Sequence, residues 1–147
     1  MAMQKATIGA IVIIALMAVV LSTLGALTVS QTFSNSGSIS AIGVGVYSNS
    51  GCTTVLSSIN WGTVNPGASV TYTMYVKNNG TIPVTLTMTI GTWNPTSASS
   101  YINLTWNQQN YSLPAGSSVP AVLTLNVSSS ASGFTSFTFD VIITGTQ

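Results

Sequence analysis

The feature that most constrains this chain is a run of 24 uncharged, largely apolar residues from Ala6 to Val29. As an α-helix, at about 1.5 Å per residue, this run would extend roughly 36 Å, which exceeds the bilayer hydrocarbon core of about 30 Å. Large apolar side chains would face in every direction around such a helix, so it must be surrounded by lipid or by protein. The sequence therefore predicts a long N-terminal hydrophobic α-helix over residues 7–30.

After a polar interval at 31–40, rich in Ser, Gly and Asn, apolar and polar residues alternate with a period of two. The clearest case is Val84–Ile90, where apolar residues alternate with threonines. Polar turn clusters recur about every ten residues, as in an all-β sandwich or barrel. We predict strands near 38–47, 53–60, 69–77, 82–91, 101–106, 119–128 and 134–144.

These patterns together predict an α+β fold class. The long hydrophobic helix would be followed by an all-β immunoglobulin-like sandwich of about seven strands. We expect the sandwich to occupy residues 41–147 and the interval 31–40 to be a flexible linker.

Charged side chains are almost absent from the chain, with Lys+Arg 2, Asp+Glu 1 and no His. The three are Lys5, Lys77 and Asp140, and polarity comes instead from 22 Ser, 21 Thr and 11 Asn. General acid–base catalysis, metal ligation and phosphate binding all need groups that this chain lacks. We therefore expect no enzymatic activity, no cofactor, no metal site and no nucleic-acid partner, and we expect a structural, adhesive or binding protein.

The first nine residues are Met-Ala-Met-Gln-Lys-Ala-Thr-Ile-Gly. They consist of a very short leader, which ends in a basic and a small residue, and the first residues of the apolar run. This arrangement resembles the class III signal of archaeal type IV prepilins and archaellins. In that family a membrane prepilin peptidase cuts before the hydrophobic helix. The resemblance implies that Lys5, Ala6 and Thr7 direct processing, that the bond between Ala6 and Thr7 is cut, and that leader 1–6 is removed.

The resemblance also implies a function. Family members are inserted in the membrane before assembly and then form an extracellular homopolymer on the cell surface, with the help of a pilus assembly machinery. The chain would be the major subunit of such a pilus, serving adhesion and, with retraction, twitching motility. The implied filament-core residues are Ile8, Ile11, Ile14, Val19, Leu21 and Leu24.

Two alternatives remain open from the residues alone. In the first, the apolar segment is removed and a free strand at 31–47 completes the next subunit's sandwich in a secreted fibre, by donor-strand complementation. In the second, the segment is a permanent single-pass anchor for a binding protein of the cell envelope.

Four tripeptides match the N-glycosylation acceptor pattern Asn-x-Ser/Thr. In an exported chain we expect at least one of them to carry a glycan, which would hydrate a surface that lacks charge. The four asparagines are Asn79, Asn103, Asn110 and Asn126.

Overall fold

The computed structural model describes residues 35–147. This part of the chain contains nine strands and one short 3-10 turn at Thr96–Ser100. The strands are β1 (Asn35–Ile42), β2 (Gly45–Tyr47), β3 (Ser58–Gly62), β4 (Ser69–Lys77), β5 (Val84–Asn94), β6 (Ile102–Trp106), β7 (Ser112–Leu113), β8 (Ser118–Val127) and β9 (Phe137–Thr146). No helix among these 113 described positions is long and apolar enough to cross a membrane.

The predicted α+β fold class is wrong, because the described chain is nearly all β. The helix predicted at 7–30 lies outside the described residues. The predicted number of about seven strands is also wrong, since the structure has nine. The additional strands are β7, which at two residues is too short to show a period, and β2, which the sequence pattern joined to β1.

The nine strands form two sheets with the orders β3-β1-β9-β5-β7 and β2-β4-β8-β6. Strand β1 runs parallel to β9 over eight residue pairs, from Asn35 opposite Phe137 to Ile42 opposite Thr144. In the constant-type immunoglobulin sandwich the first and last strands belong to different sheets. The described part of the chain therefore departs from the predicted immunoglobulin-like arrangement. Alternation specifies which residues face the core, but it contains no information about strand order.

Gly43 explains why the predicted strand 38–47 is two strands. Its φ of 74° lies in the left-handed region, and a Cβ at this position would lie 2.6 Å from the carbonyl oxygen of Gly145. Only glycine tolerates both conditions. The chain turns here and passes from β1 in one sheet to β2 in the other.

The two sheets enclose one hydrophobic core, built from the alternating inward residues that the sequence indicated. In β8 the buried residues alternate with more exposed ones, and β9 repeats the pattern. The aromatic rings stack on one another, with Phe139 centred 4.7 Å from Trp93, 5.9 Å from Phe137 and 6.4 Å from Trp61.

Strand β1 begins at Asn35, inside the interval 31–40 that the sequence predicted as linker. The β domain therefore starts earlier than the predicted residue 41. Asn35 is itself buried, and its side-chain amide donates to the carbonyl oxygen of Gly62 at 3.2 Å. The chain thus enters the sandwich at a fixed point next to the start of β9.

Candidate functional site

The structure locates only part of the site residues predicted from the sequence. The processing residues Lys5, Ala6 and Thr7 lie outside the described residues. The same holds for the predicted filament-core residues, which are Ile8, Ile11, Ile14, Val19, Leu21 and Leu24. What the structure places are the four predicted glycosylation asparagines, two charged residues, and the edges of the two sheets.

All four predicted glycosylation asparagines have exposed side chains. Asn79 lies in the turn after β4, and Asn110 lies in the loop after β6 with a φ of 62°. Asparagine adopts this left-handed conformation more readily than most residues. Asn103 and Asn126 lie on neighbouring strands β6 and β8.

Asn103 and Asn126 are direct cross-strand partners in the antiparallel pairing of β6 with β8. Because both side chains are exposed, they project from the same outer face. Cβ atoms of such partners are about 4.5–5.5 Å apart. Two glycans attached here would compete for the same space.

We therefore expect that at most one of Asn103 and Asn126 carries a glycan in any one molecule. Intact mass spectrometry of the purified chain checks this, and Asn103→Gln should raise the occupancy of Asn126. Asn79→Gln is the control, since Asn79 is in a separate turn and its loss should leave the other sites unchanged. A peptide modified at both Asn103 and Asn126 would contradict the expectation.

One end of the outer face of the four-stranded sheet carries hydroxyl and amide side chains in register. Thr71, Thr124 and Thr105 form one row across β4, β8 and β6, and Ser69 and Asn126 begin the next. This part of the face offers hydrogen-bonding groups without charge, whereas Lys77 lies at the other end of the same face of β4.

Lys77 and Asp140 are the charged side chains of the described residues, and they lie in different sheets, on β4 and β9. Asp140 accepts a hydrogen bond from the Ser38 hydroxyl group, on the neighbouring strand β1. This hydrogen bond is the main cause that lowers the pKa of Asp140, and a hydrogen bond from the Thr92 side chain lowers it further. Partial burial has the opposite and smaller effect.

The lowered pKa of Asp140 predicts a small loss of stability in acid. The pKa of this carboxyl group is near its ordinary value of 3.8 in the unfolded chain and lower in the folded chain. The stabilising contribution is therefore complete above about pH 4 and disappears as the pH falls through the folded pKa. We expect an unfolding temperature that is level from pH 8 to about pH 5 and decreases only below pH 4.

The variant Asp140→Asn isolates this effect, because it keeps a hydrogen-bond acceptor but does not titrate. Thermal unfolding of both chains between pH 2 and pH 8 gives a difference curve. A difference that grows between pH 5 and pH 8 would contradict the assignment to Asp140.

The described residues contain no group of three His, Cys, Asp or Glu side chains close enough to hold a metal ion. Cys52 is a free, partly exposed thiol in the loop between β2 and β3.

One lateral side of the sandwich is closed by hydrogen bonds that join the two sheets. The Leu56 amide donates to the Val46 carbonyl oxygen at 2.9 Å, and the Ile39 amide donates to the Ser57 carbonyl oxygen at 2.8 Å. Residues 54–57 thus connect β2 of one sheet to β1 of the other. We call this the closed side.

On the opposite lateral side, between β5 and β6, the loop after β6 forms backbone hydrogen bonds with β5 at Leu86, whose amide donates to the Tyr111 carbonyl oxygen at 2.9 Å and whose carbonyl oxygen accepts from the Asn110 amide at 2.8 Å. Beyond Leu86 and Met88 this side is open. Strand β7 pairs with β5 only at Val84 and Thr85, so the rest of β5 has no strand beyond it in the described chain. An apolar groove of about 270 Å³ lies here, which we call the open groove. It is lined by Met88, Ile90, Leu104, Thr105, Trp106 and Gln109.

Gln109 holds one wall of the open groove in place. Its side-chain oxygen accepts from the Trp106 indole N–H at 2.8 Å and from the Met88 amide at 3.2 Å. This amide thereby takes the place of a strand carbonyl at the edge of β5. No pattern in the sequence predicts this groove, because the groove exists only where β7 stops pairing with β5.

No protein-family model matches this chain, and no curated protein is significantly similar to it, so its function must be inferred from its own residues.

Proposed function

We propose that this protein is the major subunit of an archaeal type IV-like pilus, an extracellular cell-surface filament for adhesion, and for twitching motility if the filament retracts. Leader 1–6 is removed by a prepilin peptidase while the chain is in the membrane. The apolar segment 7–30 then packs against the same segment of other copies. The partners are therefore identical subunits, the membrane before assembly, and the processing and assembly machinery.

The observation that carries this proposal is the position of β1. It follows the apolar segment within five residues and lies between β3 and β9, with eight residue pairs to β9. Any load passed along the chain from the apolar segment reaches the sandwich at the first residue of β1, Asn35, which pairs with both β3 and β9. A filament subunit needs such a connection between the part that polymerises and the part that faces outward.

The composition of the described surface agrees with the proposal. The described residues have two charged side chains, and rows of threonine and asparagine lie on one sheet. Such a surface offers few groups for acid–base catalysis, and it allows identical copies to pack closely without charge repulsion.

The structure gives no specific support to the donor-strand alternative. Residues 35–42 of its proposed donor strand all pair with β9 within their own sandwich, and residues 35–38 also pair with β3. A fibre built by strand exchange would have to open this pairing. The membrane-anchored alternative likewise has no observation that favours it.

The mature N-terminus tests the proposal directly. Edman degradation or intact mass of the protein recovered from cells should give Thr7 as the first residue. A start near Gln31 would support the secreted fibre, and a start at Met1 or Ala2 would support the permanent anchor; either result would overturn the pilus proposal.

A further inference from the structure

The loop between β2 and β3 presents one apolar side chain to solvent on the closed side. Val55 is 73% exposed, the largest exposure among the big apolar residues of the described chain. Its backbone forms an isolated β-bridge with Tyr47. An apolar side chain held outward in this way gains free energy only when another surface covers it, by about 1.5–3 kcal/mol for full burial.

The loop that carries Val55 is fixed by the side chain of Asn49. The Asn49 side-chain oxygen accepts from the amides of Thr53 at 3.1 Å and Thr54 at 3.0 Å, and its amide nitrogen donates to the Thr53 hydroxyl group at 2.7 Å. The loop is therefore already ordered, and binding through Val55 would lose little conformational entropy.

We propose that Val55 of one copy inserts into the open groove of a neighbouring copy, between Met88 and Ile90 on one wall and Trp106 on the other. This inference rests on the proposed function, since it names a contact between the outward domains of the filament. The donor is the closed side of one sandwich and the acceptor is the open side of the next.

The positions of the two surfaces determine the kind of assembly. The closed side lies at the β2 and β3 edges, and the open groove lies at the β5 and β6 edges. Because the two surfaces are different and lie on opposite sides of the sandwich, each copy can donate to one neighbour and accept from another. Such heterologous contacts continue from copy to copy instead of closing a two-fold dimer.

Neither surface contains a charged residue. The open groove is lined by apolar, hydroxyl and amide side chains, and loop residues 48–57 are uncharged. The contact therefore removes apolar surface from water without desolvating an ion.

A single valine in a groove buries far less than the roughly 1,200–2,000 Å² of a stable standard interface. The contact therefore does not hold two free copies together. It forms only where another attachment keeps the copies close, as the apolar segment 7–30 would do in a filament, because the effective concentration is then high.

Disulfide trapping in the full-length chain tests the contact. Cys52→Ser removes the native thiol, and Val55→Cys with Ile90→Cys then places one thiol on each surface. Because a disulfide requires Cα atoms about 4.4–6.8 Å apart, oxidation reports direct contact. We expect a ladder of covalent multimers on a denaturing gel, which reduction collapses to monomer.

The controls separate the groove contact from random collision. Ile90→Cys alone should stay monomeric, and Val55→Cys alone should give at most dimers. Ile42→Cys paired with Ile90→Cys should give no ladder, although Ile42 is also exposed, at 58%. Val55→Cys with Met88→Cys is a second pair, in case Ile90→Cys impairs folding, because Met88 also lines the groove and its bond to Gln109 is made by the backbone amide.

The outcomes distinguish the contact from the proposed function. Filaments that form without a ladder from either pair overturn the Val55 contact and leave the pilus proposal standing. A ladder in membranes of cells that make no filament supports the contact and counts against the pilus proposal. Cross-linking of the groove thiol to another protein, or equal ladders from the Ile42 pair, would also overturn the contact.

Discussion

Val19→Asp is expected to abolish filaments while leaving the β domain folded. The change places a carboxylate in the middle of the apolar segment Ala6–Val29. On insertion into the membrane an acidic residue at such a position costs about 2.5–3.5 kcal/mol. In an assembled filament the same carboxylate would be buried without a partner in every subunit, so the cost recurs along the whole polymer.

Electron microscopy of cell-surface fractions, with immunoblotting for total protein, measures this effect. Val19→Ile is the matched control, because it changes shape slightly but adds no charge, and it should give normal filaments. If Val19→Asp cells made filaments of normal number and length, the apolar segment would not be the part that polymerises.

Asn78→Ala is expected to destabilise the sandwich by about 3 kcal/mol or more, since three backbone groups, including the carbonyl group of the buried Leu113, lose their hydrogen bonds at once. Asn78 is fully buried, and its side-chain nitrogen donates to the carbonyl oxygens of Ile82 at 2.7 Å and Leu113 at 3.2 Å. Its side-chain oxygen accepts from the Gly80 amide at 2.9 Å. This side chain therefore connects the turn after β4 to β7 by hydrogen bonds.

Thermal and denaturant unfolding measure the effect, which corresponds to a decrease in Tm of roughly 10 °C or more for a domain of this size. Asn79→Ala is the control from the same turn, because Asn79 is exposed and makes one hydrogen bond, at 3.3 Å to the Tyr47 hydroxyl group. The control should change the free energy of unfolding by less than about 1 kcal/mol.

Asn78→Asp sharpens the test. It keeps the shape of the side chain but places an oxygen, in place of the donating nitrogen, against two carbonyl oxygens. We expect it to be at least as destabilising as Asn78→Ala at neutral pH. Two variants as stable as Asn79→Ala would show that the buried amide is not what holds this turn.

The strands that the sequence predicted best are those with strict alternation. Strand β4 has the predicted bounds 69–77, and β8 at Ser118–Val127 differs from its prediction by one residue at each end. Alternation is reliable here because each strand has one face on the core and one in water, so burial and sequence share a period of two.

The predictions failed where the backbone, and not the side-chain pattern, decides the outcome. The predicted strand 38–47 continues through Gly43, yet the chain passes from one sheet to the other at this residue. The positive φ of Gly43 and the nearby carbonyl oxygen of Gly145 require a glycine here. Likewise Asn78, Asn79 and Gly80 form one of the polar turn clusters between predicted strands, but this pattern does not indicate that Asn78 is the buried one. That depends on Leu113, 35 residues further along the chain.

By itself the sequence determined three things about this protein: an uncharged apolar run of 24 residues, a β domain in which the inward face of most strands is known, and a composition with very few charged side chains. These follow from local composition and period, which need no knowledge of distant contacts. The tertiary structure alone decided the parallel pairing of β1 with β9, the closed side that carries Val55, and the open groove opposite it. Each of these depends on which strand lies beside which, and such pairing is set by packing between residues far apart in the chain.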